Sequence, residues 1–103
     1  MKVLTDYEGR VVRLTDERLT HILEHPEMHD MESLLEETVR RPTLVFESEI
    51  DFAVRLNYRF YFGTRVGDKW LCVLIKYAQE DAFVLTAYLT DKPKKGKQVW
   101  PIK

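Results

Sequence analysis

A chain of 103 residues with 45% hydrophobic and 32% charged side chains has enough apolar surface for one core and too much for a disordered tail. Its formal net charge of -1 offers no global attraction for a polyanion. No apolar run approaches the roughly 18 residues that a helix needs to cross a bilayer, so no membrane partner is expected.

The opening stretch Met1-Lys2-Val3-Leu4-Thr5-Asp6-Tyr7 meets charge at once and lacks the apolar centre of a secretory signal. One domain over residues 1–103, resident in the cytoplasm, is therefore the expectation. The single cysteine, Cys72, has no internal disulfide partner and lies in an apolar run, as a small buried hydrophobe does in a reducing compartment. Residues 4–14 alternate around Glu8-Gly9, which predicts an N-terminal strand or small hairpin. Thr15 then stands as an N-cap, with Asp16 and Glu17 in the first turn where the helix dipole favours acid. Leu19, Ile22 and Leu23 form the buried stripe of a helix over about residues 16–24. Arg18, His21 and His25 fall together on another flank at 100° per residue.

Pro26 limits that helix, because the residue before a proline is pushed out of the α region. His25 is thus expected at or just past the C-terminus, where unpaired carbonyls favour a cation. Met31, Leu34, Leu35, Thr38 and Val39 define a second helix over about residues 29–40, closed by Arg40-Arg41-Pro42. Beyond Pro42 the period shifts from 3.6 to 2. Strands are predicted at 43–47, 52–64, 70–77 and 82–90, with turns at 66–69 and 78–81 and a short last strand at 98–100. Lys92, Lys94, Lys95 and Lys97 crowd the loop before that last strand, where a local cluster of ammonium groups steers a phosphate backbone even on a neutral protein. Two helices followed by an antiparallel meander make an α+β domain, with both helices packed on one face of the sheet.

His21-Ile22-Leu23-Glu24-His25 also spells H-x-x-E-H, the inverted zinc-protease pattern, in which both histidines hold metal and the glutamate activates water. That site requires the helix to run past its second histidine and a third ligand from elsewhere. Pro26 interrupts at that point, and His29 with Glu24 and Glu27 makes a poor ligand set. No metal and no cofactor is expected.

The succession Leu14-Thr15-Asp16-Glu17-Arg18, His21-Ile22, His25-Pro26-Glu27, then Arg41-Pro42 before a strand, an aromatic strand pair and Thr86-Ala87-Tyr88 resembles the phage-associated branch of the barnase/EndoU/colicin/RelE-like (BECR) nucleases. The resemblance spans about residues 12–100. It implies a metal-independent endoribonuclease of toxin or mobile-element effector type, with N-terminal helices on a curved antiparallel sheet and the active site on the sheet's open face. It implies RNA as substrate, possible neutralisation by a protein partner, and His21, His25, Thr86 and Tyr88 as catalytic residues.

Cleaving RNA without metal needs a base for the 2′-OH, an acid for the leaving 5′ oxygen and donors to the phosphorane. Imidazole titrates near neutral pH, so His21 suits the base and His25, at the helix end, the acid. Arg18, Arg59 and Lys76 are candidate phosphate clamps, the two strand residues Arg59 and Lys76 on geometry alone, Thr86 and Tyr88 candidate hydroxyl donors, and Tyr58 or Tyr61 a platform for a base. The competing expectation is a catalytically inactive module that binds a partner through Tyr58, Phe60, Tyr61 and Phe62 on an aromatic sheet face.

Overall fold

The computed structural model describes residues 1–102. The chain order is β1 (Lys2–Thr5), β2 (Val11–Leu14), α1 (Asp16–Leu23), a 3-10 turn at Pro26–Met28, α2 (Glu32–Arg40), β3 (Leu44–Glu47), β4 (Val54–Thr64), β5 (Gly67–Tyr77), β6 (Ala82–Thr90) and β7 (Lys97–Trp100). This is an α+β domain built on one sheet, with strands in the order β1-β2-β6-β5-β4-β3-β7.

Thr15 caps α1 as expected, its hydroxyl accepting from the Arg18 amide at 3.1 Å. Helix α1 ends at Leu23, and His25 is extended, with φ -69° and ψ 124°, as the residue before Pro26 must be. The second helix starts at Glu32 rather than near His29. Pro26 begins a 3-10 turn that buries Met28, and Met31 takes the N-cap position of α2.

The expected antiparallel meander describes only β3 to β6, and the whole sheet is mixed. Strand β2 lies parallel to β6 through Arg13 and Phe83, and β7 returns antiparallel to β3 at the far edge. The physical reason is that α1 and α2 carry the chain across the sheet between β2 and β3. A two-residue period marks a strand but does not name its neighbours.

Both helices cover one face. Ile22 of α1, Met28, Met31 and Leu35 and Val39 of α2 close over Leu71, Val73 and Ile75 of β5 and over Val84 and Ala87 of β6. The opposite face carries a second cluster of Val54, Leu56, Tyr58 and Cys72, with Phe46, Trp70, Leu74 and Tyr88 packed against it. The Trp70–Ile75 stretch of β5 contributes to both clusters, which accounts for its wholly apolar sequence. Residues 91–96 cross over this second face, where the Lys94 amide donates to the Tyr58 hydroxyl at 3.1 Å. The same loop passes so close to β3 that a Cβ on Gly96 would come within 2.9 Å of the Glu47 carbonyl oxygen.

A polar tie fixes the β1-β2 turn to the sheet. Asp6 is 2% exposed. Its Oδ1 accepts from the Glu8 and Arg10 amides at 2.9 and 2.8 Å, and its Oδ2 accepts from the Tyr77 hydroxyl at 2.7 Å. Burial first, and then the bond to the Asp6 carboxylate, raise the Tyr77 pKa. Asp6→Ala strips three part-buried donors of their acceptor and is expected to cost about 1–3 kcal/mol in urea unfolding, whereas an unchanged midpoint would show the tie to be dispensable.

Candidate functional site

The sheet divides the expected site residues into two groups. Arg18 and His21 lie on α1 and His25 just beyond it, in the helical layer. Thr86 stands opposite Leu74, and Tyr88 opposite Cys72, so both belong to the face turned away from the helices. The four catalytic candidates His21, His25, Thr86 and Tyr88 therefore do not form one site. A bulge between Val84 and Thr86 carries Leu85 and Thr86 onto the open face together, leaving the Thr86 side chain exposed.

Within the helical layer, Arg18 and His21 line one surface cavity of about 210 Å³ with Thr15 and Glu17. Both side chains are exposed, and His21 Nδ1 stands 4.0 Å from a Glu24 carboxylate oxygen. His25 is absent from the lining of this cavity. Its Nδ1 lies 3.9 Å from a Glu27 oxygen, because the extended backbone before Pro26 takes it off the helical flank that α-periodicity assigned it. Among the described residues, no three His, Cys, Asp or Glu side chains converge as a metal site, and no helix is long and apolar enough to cross a membrane.

Three substrate-binding candidates are engaged in holding the fold. Arg59 donates to the Arg41 carbonyl at 2.7 Å and lies 3.5 Å from a Glu37 oxygen, so it fastens β4 to the end of α2. The Tyr61 hydroxyl donates to Glu37 at 2.8 Å and lies 3.1 Å from the Thr38 hydroxyl, which places its ring under α2 instead of on a surface for stacking. Lys76 is held at 2.7 Å by Asp51, whose pKa is lowered chiefly by that hydrogen bond. The Tyr58 ring is wholly buried and offers no platform either.

On the open face, Tyr88 turns its hydroxyl inward beside Cys72 and Tyr58, buried without a hydrogen-bond partner. Burial raises the pKa of Tyr88 to about 12 and that of Cys72 to about 11 from its ordinary 9.0. Both groups fold in their neutral form. Their stabilising contribution is whole below the unfolded pKa and is lost as pH climbs to the folded one. Thermal stability is accordingly expected to fall between about pH 9 and 12, less steeply in Cys72→Ala, and Cys72 should resist thiol-alkylating reagents until the chain unfolds. Rapid alkylation of the folded protein at pH 8 would contradict its burial.

The open face also carries a cavity that the sequence reading did not single out. It is lined by Lys94 and Lys95, by Ser48 to Ile50, and by Phe46, Leu56 and Leu74 of the sheet. Only the lysine run signalled it in the sequence; Ser48 to Ile50 come from a loop more than forty residues away.

No family model, curated protein or solved structure matches this chain.

Proposed function

We propose that this chain is a metal-independent endoribonuclease of the BECR-like kind, with its reaction centre at the α1 cavity. The observation that carries this reading is the pairing of one guanidinium and one imidazole, Arg18 and His21, in a single solvent-open cavity. The layout of helices on one face of an antiparallel β3 to β6 core also supports it.

In the proposed reaction, His21 takes the proton from an RNA 2′-OH as that oxygen attacks the adjacent phosphorus. Arg18 binds two non-bridging phosphate oxygens as negative charge accumulates on them. The bond from phosphorus to the 5′ oxygen breaks, and His25, just beyond the end of α1, acts in its protonated form and donates its own proton to the leaving oxygen. The products are a 2′,3′-cyclic phosphate and a 5′-hydroxyl. Thr86 and Tyr88, on the other side of the sheet, take no part in this centre.

The test is incubation of the purified protein with single-stranded RNA and with tRNA, in EDTA and in magnesium. Cleavage that persists in EDTA is expected, and RNA left intact under both conditions would overturn the reading. A second reading, a partner-binding module acting through the aromatic end of the open face, is favoured by Phe62. That ring is 81% exposed and stacks edge-on with Phe60, which in turn meets Trp70.

A further inference from the structure

We infer that the open-face cavity beside the lysine loop is a docking site for an acidic peptide segment of a protein partner, anchored by one large apolar side chain. The floor of Phe46, Leu56 and Leu74 has no charged group, and the cavity measures about 230 Å³, enough for a leucine or phenylalanine side chain. Ile50 stands on its rim at 98% exposed, an apolar side chain with no packing role in the free protein.

The charge around the cavity selects the segment that carries the anchor. Lys94 and Lys95 line the cavity, and Lys92 and Lys97 flank them in the sequence. None of these four ammonium groups forms an ion pair among the described residues, in contrast to Lys69 and Lys76, which are held by Asp91 and Asp51. Glu49 also lines the cavity and repels acid from its own vicinity. Carboxylates on the partner are thereby directed to the lysines.

A single strand of RNA satisfies the lysines but leaves the aliphatic floor without a purpose, since bases stack on aromatic faces and the Phe46 ring is already set edge-on against Tyr58. The acidic peptide uses both halves of the cavity. The loop itself is well placed to hold its lysines, being tied to β4 by the Lys94 amide and pressed against β3 at Gly96.

Titration of the isotope-labelled protein followed by amide NMR shifts tests this. The probe is a synthetic peptide of Asp and Glu residues around a central Leu-Phe pair. Controls are the same peptide with Ser-Ser at its centre and a single-stranded RNA dodecamer. The expected result is saturable shifts at Ile50, Leu56, Leu74, Lys94 and Lys95 with the Leu-Phe peptide, and at least ~10-fold weaker binding in the Lys94→Glu, Lys95→Glu double variant. The exposed Ile50→Ser variant, which removes no core contact, should weaken binding to a lesser degree. No shifts at millimolar peptide, shifts elsewhere on the surface, equal binding by the Ser-Ser peptide, or saturable shifts at these amides with RNA alone would each overturn it.

Discussion

His21→Ala is expected to lower the rate of RNA cleavage by roughly 10²- to 10⁴-fold, the range that a positioned proton carrier contributes. The fold should be untouched, because the His21 side chain is 72% exposed and the buried stripe of α1 is carried by its neighbour Ile22. Its imidazole stands 4.0 Å from Glu24, an exposed pair of the kind that contributes little to stability. Equal melting temperatures for the two proteins, beside a large difference in initial rate, would assign the loss to chemistry. Arg18→Ala should reduce activity as well, with part of the loss appearing as a higher KM, since a guanidinium clamp binds substrate as well as transition state. His25→Ala is the sharper discriminator between a proton donor and a bystander, given that His25 sits outside the cavity that holds His21. An unchanged rate in His21→Ala would remove the α1 cavity as the reaction centre.

Tyr58→Ala is expected to destabilise the protein by about 3–5 kcal/mol, as loss of a large buried ring typically does. Tyr58 is wholly buried at the centre of the second cluster, edge-on to Phe46 at 5.9 Å between centroids and to Trp70 at 6.4 Å. Its hydroxyl is the acceptor for the Lys94 amide, so it also fastens the lysine loop over the sheet. Tyr58→Phe separates the two contributions. It keeps the ring and leaves one amide without its acceptor, for an expected cost of about 1–2 kcal/mol. Denaturant unfolding of the three proteins gives both numbers. Equal costs for the two variants would mean that the hydroxyl, and not the ring, holds this face together.

Much of the fold was legible in the sequence because short-range rules govern it. Thr15 and Pro26 bracket α1, the Met31 to Val39 stripe marks α2, and the predicted strand at 82–90 coincides with β6. The start of α2 was misplaced because the 3-10 turn after Pro26 packs Met28 into the core, and a single buried residue leaves no periodic trace. Strand order was not legible, since the pairing of β2 with β6 joins residues seventy positions apart through a single bridge.

The candidate site was legible only where it is local. Arg18 and His21, one turn apart on one helix, line one cavity, whereas His25, which the same spacing placed on their flank, lies outside it. The link to Thr86 and Tyr88 failed because it depended on which face of the sheet the helices cover, which no motif encodes. Arg59, Lys76 and Tyr61 were equally plausible as substrate contacts by residue type. Their partners, Arg41 and Glu37, Asp51, and Glu37 with Thr38, become visible only once α2 and the β3-β4 loop are seated against the sheet.

The chemistry of the RNA ends tests the central claim most directly. A 5′-labelled oligoribonucleotide is digested in EDTA with the wild-type protein and with His21→Ala, and the fragments are analysed by mass spectrometry. Attack by the 2′-OH predicts fragments ending in a 2′,3′-cyclic phosphate, with 5′-hydroxyl partners, from the wild type and their near absence with the variant. Fragments with 5′-phosphate ends, equal cleavage by the two proteins, or an intact oligonucleotide would contradict it.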